Sequence, residues 1–140
     1  MHLSYFGIRV TDIEKSYEFY TELFGLEEVT RIDKTTLGGG ICVLLTDNAS
    51  GQKLELNWYP EGSTYANYYI PGEGLDHIAF EVDDMDETLR SLKKKGIHRI
   101  TTNQPFNTNA RLAYVKDPDG NWIELYQRVN VPTPILQAQK

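Results

Sequence analysis

The chain has 140 residues, of which 40% are hydrophobic and 24% are charged, and its formal net charge is −6 at pH 7. A chain of this size and composition is expected to form one globular domain with enough apolar side chains for a core. The negative charge argues against nucleic acid or an anionic membrane surface as the main partner.

Neither a membrane span nor a signal peptide is expected. No apolar run approaches the roughly 20 residues that cross a bilayer. The first ten residues, MHLSYFGIRV, lack a basic stretch followed by an apolar one. The only cysteine, Cys42, excludes an internal disulfide and lies in the apolar stretch ICVLL, so it is expected to pack in the core. These features predict a reducing, cytoplasmic location.

The first half of the chain reads as one strand, one helix and three further strands. A strand is predicted at Tyr5–Val10. A capping box formed by Thr11 and Glu14 predicts the start of a helix, and Gly25 predicts its end. The three following strands are predicted at Glu27–Ile32, Ile41–Thr46 and Lys53–Trp58.

The second half repeats this order. A strand at His77–Val82 precedes a helix that starts at Asp84, with Glu87 in the capping position, and ends at Gly96. Three strands are predicted after the helix, at Arg99–Thr102, Leu112–Lys116 and Trp122–Gln127.

The two halves are therefore interpreted as a tandem duplication. The apolar helix positions Met85, Leu89 and Leu92 each lie 72 residues after Ile13, Tyr17 and Tyr20. The predicted fold class is α+β, with two tandem βαβββ modules that form a cupped antiparallel or mixed sheet, with helices on its outer face. The whole chain, 1–140, is predicted to be a single domain, in which module one is 1–59, the connector 60–74, module two 75–128 and the tail 129–140.

Acidic side chains occupy the middle of two strands that otherwise look half-buried. Because side chains alternate along a strand, Glu55 and Glu124 should point away from the helices, and so should His77 and Tyr5. If the halves close into a cup, these residues converge. Two carboxylates and an imidazole are costly to desolvate without a cation, so a divalent metal is predicted there.

Four motifs show a family resemblance that covers the chain up to about Arg128: IRVTDIEKSYEFYTELFGL, LELNWY, GLDHIAFEV and DPDGNWIELY. They resemble the vicinal-oxygen-chelate superfamily, which contains glyoxalase I, epimerases, extradiol dioxygenases and bleomycin-binding proteins. The last two motifs are most similar to the glyoxalase I branch.

The resemblance implies a metal site with one position on each of four central strands. Matched by motif, the second to fourth positions are Glu55, His77 and Glu124. The first position, usually a histidine, falls on Tyr5. A protonated tyrosine is a poor metal ligand, so Tyr5 is expected to hydrogen-bond bound water or substrate, or to pack as an aromatic.

The function that the resemblance implies is that of a metal-dependent glyoxalase-like lyase or isomerase. The ion would be Ni²⁺, Co²⁺, Mn²⁺, Mg²⁺ or Zn²⁺, and a small-molecule substrate would chelate it through two neighbouring oxygens. Glu124 would act as the base next to a carbonyl, with Glu55 as its partner or alternative. The candidates for substrate binding are Arg9, Asn57, Arg111 and Trp122. A homodimer is expected, with the cup formed within one chain or between two.

Two other functions remain open at this point. The first is a metal-free binding protein of the bleomycin-resistance type, which would fit the missing first histidine and the aromatic residues Tyr5, Trp122 and Tyr126. The second is an extradiol dioxygenase, which is weaker because that chemistry uses two histidines. For Arg9, an ion pair with Glu81 is the alternative to substrate binding.

Overall fold

In the computed structural model, residues 4–63, 70, 73, 75, 77–100 and 110–128 and the backbone of 104–107 are described. Most of the connector, its tyrosines Tyr65, Tyr68 and Tyr69, and the tail 129–140 lie outside this range. None of the helices among the described residues is long and apolar enough to cross a membrane.

The first half of the chain forms a four-stranded mixed sheet with one helix. Strand β4 pairs with β1 in parallel and with β3 antiparallel, and β3 pairs antiparallel with β2, so the strand order is β1-β4-β3-β2. The elements in chain order are β1 (Phe6–Arg9), α1 (Ile13–Glu18) with a π-helical continuation (Phe19–Leu23), β2 (Glu27–Asp33), a 3₁₀ turn (Thr35–Leu37), β3 (Ile41–Thr46) and β4 (Lys53–Trp58).

The second half forms a sheet with the same connectivity, in the order β5-β8-β7-β6. The elements are β5 (His77–Glu81), α2 (Met85–Lys94), β6 (Gln104–Asn107), β7 (Ala110–Lys116) and β8 (Trp122–Arg128). The prediction of an α+β fold with two βαβββ modules is therefore confirmed.

The start of the second helix is as predicted, and the start of the first is not. Asp84 caps α2, because its carboxylate accepts a hydrogen bond from the backbone N–H of Glu87 at 2.9 Å. The cap of α1 is Asp12, whose carboxylate accepts from two backbone N–H groups, so the prediction of Thr11 was wrong. The Thr11 backbone N–H instead donates to the Asp119 carboxylate at 2.9 Å.

The sixth strand lies further along the chain than the sequence predicts. The structure has β6 at Gln104–Asn107, whereas the sequence analysis placed the strand at Arg99–Thr102. Strand β6 pairs with β7 alone and is the edge of its sheet. An edge strand can contain Pro105, which has no N–H to donate to a further strand.

The chain divides into two compact units, and each has its own core. The first unit contains the first half together with Lys116–Trp122, and its fully buried side chains include Tyr20, Val43, Leu45 and Leu56. The second unit contains the remainder of the second half, with a core of Met85, Leu92, Ala113, Val115, Ile123 and Leu125. In both units the core lies between the sheet and its helix.

The turn between β7 and β8 packs within the first unit, against α1 and its continuation. Asp117 is only 5% exposed, and its carboxylate accepts hydrogen bonds from the Tyr20 hydroxyl at 2.8 Å and from the Asn121 side chain at 2.9 Å. Asp119 accepts from Ser16 in addition to Thr11. The buried carboxylate of Asp117 is thus fully hydrogen-bonded, as a buried charge requires.

Candidate functional site

Glu55 lies in the middle of β4, on the side of the first sheet opposite α1. We call the side of each sheet opposite its own helix the distal face. Its neighbours in sequence, Leu54 and Leu56, are buried towards α1, which packs against β4. Glu55 is half-buried, opposite Gly7 on β1 and Leu44 on β3. The alternation predicted from the sequence therefore describes this strand correctly.

Gly7 leaves space for two polar side chains on this distal face. A Cβ at position 7 would lie 3.2 Å from Asn57 Nδ2 and 3.9 Å from Glu55 Oε1. The absence of a side chain on β1 therefore lets Glu55 and Asn57 lean over the neighbouring strand. This recess, with a carboxylate and a carboxamide at its edge, could accept a small polar ligand or a cation.

Asn57 is held by Cys42, its cross-strand partner on β3. The thiol donates a hydrogen bond to Asn57 Oδ1 at 3.1 Å, and Asn57 Nδ2 donates to the Glu55 backbone oxygen at 3.3 Å. Burial, and secondly the charge of Glu55, raise the pKa of the Cys42 thiol. Cys42 is therefore a half-buried hydrogen-bond donor on the distal face, and the prediction of a core position was wrong.

Arg9 lies on the same distal face, at the end of β1, opposite Asn57. Its guanidinium carbon stands 4.3 Å from the centre of the Tyr59 ring, which is a cation–π contact. Glu81, the alternative partner considered for Arg9, forms an ion pair with Arg128 at 3.1 Å. Tyr5, just before β1, is 45% exposed.

Glu124 has the equivalent position in the second sheet, in the middle of β8. Ile123 and Leu125 on either side are fully buried, while Glu124 is half-buried on the distal face. Its Oε2 accepts a hydrogen bond of 2.6 Å from the hydroxyl of Tyr114 on β7. Trp122 lies on the same face of β8 and is 44% exposed.

His77 is the exposed first residue of β5, the strand next to β8. Alternation along β5 puts His77 on the same side as Glu81. Glu81 forms an ion pair with Arg128, and Arg128 lies on the same side of β8 as Glu124, which is the distal face. The side of β5 that carries His77 and Glu81 is therefore also the distal face. The second sheet therefore has both His77 and Glu124 on its distal face.

Arg111 lies on the opposite side of the second sheet, facing α2. It alternates in phase with the buried Ala113 and Val115 on β7. Its guanidinium donates two hydrogen bonds to Asp86 of α2, at 2.9 and 3.1 Å, and Asp86 raises the pKa of Arg111. The structure therefore does not bring Arg111 to the face of Glu124, because the helix supplies a bidentate partner on the other side.

The donors of the predicted metal site suit a divalent ion, since they are two carboxylates and one imidazole. The recess left by Gly7 also gives space beside the carboxylate of Glu55, one of these donors. Within the described residues, no group of three or more His, Cys, Asp or Glu side chains is close enough together to hold a metal. The metal site therefore remains a prediction.

Tyr114, which contacts the candidate base directly, is not among the site residues predicted from the sequence. The information was present, because the alternation that buries Ala113 and Val115 puts Tyr114 on the distal face. Only the pairing of β7 with β8, seen in the sheet order, shows which acid its hydroxyl can reach.

The comparison with protein families identifies the class of protein. Residues 2–125 match the model of the Glyoxalase/Bleomycin resistance protein/Dioxygenase superfamily. The chain belongs to this superfamily, as the sequence motifs predicted, and its fold is the one that the family shares.

Individual relatives point to the glyoxalase I-like branch. A probable lactoylglutathione lyase from Vibrio cholerae is 34% identical over 130 residues, which cover 86% of each chain. The trypanothione-dependent glyoxalase I of Leishmania major superposes with a TM-score of 0.70 at 26% identity, covering 91% of this chain and 87% of that one. TnmS3, an antibiotic-binding protein from Streptomyces, superposes with a TM-score of 0.68 at 26% identity, covering 92% and 97%.

Proposed function

We propose that the protein is a metal-dependent glyoxalase-like lyase or isomerase, which moves a proton next to a carbonyl in a small molecule with neighbouring oxygens. The observation that supports this most is the position of Glu55 and Glu124. Both are half-buried carboxylates in the middle of equivalent strands, on the distal face of their sheets. The similarity to lactoylglutathione lyases supports the same class of reaction.

Glu55, His77 and Glu124 are the residues that would hold the ion, which we propose to be Ni²⁺, Co²⁺, Mn²⁺, Mg²⁺ or Zn²⁺. Two carboxylates balance the charge of a dication, and the imidazole is a common ligand for this group of metals. When bound, the ion would act as a Lewis acid towards two neighbouring substrate oxygens.

The protein's own residues would move the proton and orient the substrate. Glu124 would take the proton from the carbon next to the carbonyl and return it to the neighbouring carbon, with Glu55 as the alternative base. Arg9 and Asn57 would bind the polar part of the substrate, and Trp122 would stack against its apolar part.

Tyr5, at the position where the family usually has a histidine, would hydrogen-bond the substrate through its hydroxyl. We leave Arg111 out of the proposed substrate site, because both of its hydrogen bonds to Asp86 lie on the helix side of the sheet. The protein would act in the cytoplasm, where its single thiol, Cys42, stays reduced.

A metal-free binding protein is the second candidate function. It is favoured by Tyr5 at the first ligand position and by the similarity to the antibiotic-binding TnmS3. In that case the exposed ring of Trp122 and the half-buried ring of Tyr126 would contact an aromatic ligand.

Metal analysis of tag-free protein separates the two candidates. We expect the wild-type protein to contain a divalent ion in stoichiometric amount and to convert 2-oxoaldehyde–thiol adducts to thioesters. Both the bound ion and this activity should be lost in the Glu55→Gln and Glu124→Gln variants. Glu27→Gln, an exposed acid at the start of β2, is the matched control and should keep both. If the wild-type protein takes up no metal after incubation with Ni²⁺, Mn²⁺ and Zn²⁺, the enzyme proposal fails.

We also propose that the protein is a homodimer, in which the cup forms within one chain or between two. Mixing the inactive Glu55→Gln and Glu124→Gln variants distinguishes the two arrangements. If the cup forms between two chains, a mixed dimer contains one site with both glutamates intact, and part of the activity should return after subunit exchange. If the site forms within one chain, mixing restores nothing.

A further inference from the structure

A tyrosine hydroxyl holds the carboxylate that we propose as the base. Tyr114 lies on β7, which neighbours β8 in the second sheet, and its hydroxyl donates to Glu124 Oε2 at 2.6 Å. This distance is in the range of hydrogen bonds between a hydroxyl and a charged carboxylate, which are roughly twice as strong as neutral ones. Both side chains are half-buried, so water competes for this bond less than it would at the surface.

The corresponding position in the first sheet has no such donor. Leu44 and Tyr114 each lie two residues before the end of their strands, β3 and β7. Leu44 is the direct cross-strand neighbour of Glu55, and its aliphatic side chain cannot form a hydrogen bond. The two equivalent glutamates therefore have different surroundings, a phenol beside Glu124 and a leucine beside Glu55.

We propose that Tyr114 is a positioning residue, which orients the Glu124 carboxylate for metal binding and proton transfer. The inference rests on the proposed function, because it assigns Tyr114 a role through a residue of that site. The Tyr114 side chain has only two rotatable bonds that move its ring, and its backbone is held in β7 between the buried Ala113 and Val115. It therefore limits the rotation of the more flexible glutamate before a ligand arrives.

A positioning role for Tyr114 predicts a specific effect when its hydroxyl oxygen is removed. In Tyr114→Phe the ring and its packing remain, while Glu124 Oε2 loses the hydrogen bond from the Tyr114 hydroxyl. Loss of a hydrogen bond that orients a metal ligand typically weakens metal binding about 10- to 100-fold. We expect a loss of about 10-fold or more in Co²⁺ affinity, a changed visible spectrum of bound Co²⁺, and an unchanged fold.

The matched control is Tyr17→Phe, the same substitution at another half-buried tyrosine, which lies on α1 and has no place in the proposed site. The Tyr17 ring lies 5.0 Å from the Arg31 guanidinium. This variant should bind Co²⁺ like the wild-type protein. Circular dichroism and thermal unfolding of each variant show whether any loss of affinity comes from unfolding.

Co²⁺ titrations by calorimetry and absorption then decide between the outcomes. If the wild-type protein binds none of Co²⁺, Ni²⁺, Mn²⁺ and Zn²⁺, the proposed function fails, and the role of Tyr114 fails with it. If the wild-type protein and Tyr114→Phe bind Co²⁺ equally and with the same spectrum, the role of Tyr114 alone is refuted. The last experiment repeats the Tyr114→Phe substitution in a Glu124→Gln background. The effect of Tyr114→Phe should vanish there, and an undiminished effect would mean that Tyr114 acts without Glu124.

Discussion

Replacing Tyr20 by phenylalanine removes one buried hydrogen bond and little else. Tyr20 is fully buried, and its hydroxyl donates to Asp117 Oδ2 at 2.8 Å. Its ring would keep its packing against Phe19, at 5.1 Å between centres. A hydrogen bond to a charged group contributes about 1.5–3 kcal/mol. Because Asn121 still donates to the same oxygen, we expect a loss of about 2 kcal/mol.

Thermal and urea unfolding measure this loss. At about 4 °C per kcal/mol for a chain of this size, Tm should fall by about 8 °C. Tyr17→Phe, a less buried tyrosine on the preceding turn, is the matched control and should change Tm far less. A double-mutant cycle with Asp117→Ala, which removes the acceptor, isolates the pair. A loss below about 0.5 kcal/mol for Tyr20→Phe, or no coupling in the cycle, would refute the assignment.

The same variant tests the pH dependence. Burial, and secondly the charge of Asp117, raise the pKa of Tyr20 far above its usual value. Below pH about 10, both the folded and the unfolded chain keep this proton, so the contribution of Tyr20 is complete. Above that pH the unfolded chain releases the proton and the folded chain does not. The stability advantage of the wild-type protein over Tyr20→Phe should therefore shrink with rising pH, and a constant advantage would contradict the raised pKa.

Two further predictions concern the first sheet. Gly40→Ala should lower stability by about 1–3 kcal/mol in urea unfolding, because its Cβ would collide with the backbone oxygen of Trp58. Gly7→Ala should cost less, since its Cβ would stand 3.2 Å from Asn57 Nδ2, a side-chain atom that can shift slightly within its hydrogen bonds, and equal losses for both variants would contradict this difference. The raised pKa of Cys42 keeps the thiol protonated at neutral pH, so alkylation of Cys42 should be slower than that of a free cysteine. The alkylation rate should rise only above the pH at which a free cysteine thiol ionises. A rate at pH 7 equal to that of a free thiol would show that the pKa is not raised.

Membership of the superfamily defines the fold more closely than the reaction. Chains with this fold include lactoylglutathione lyases and an antibiotic-binding protein, so function has to be argued from the residues of the site. In this chain the proposed site residues include Glu55 and Glu124, and Tyr5 stands where the family usually has a histidine.

Much of the fold could be predicted from the sequence because it depends on short-range patterns. Alternating apolar residues located β3 and β4 with the observed bounds, and Asp84 with Glu87 located the start of α2. The same alternation assigned Glu55 and Glu124 to the distal face. Local patterns failed for β6, an edge strand in a polar stretch that contains a proline.

The sequence by itself determined the duplicated modules and which way most strand side chains point, because strand and helix periods are properties of the local backbone. Only the tertiary structure decided which partner each polar side chain found. Thr11 binds Asp119, 108 residues away, and therefore leaves the helix cap to Asp12. Arg111 turns to Asp86, and Tyr114 reaches Glu124. Such choices depend on which strands and helices pack together, and no local period contains that information.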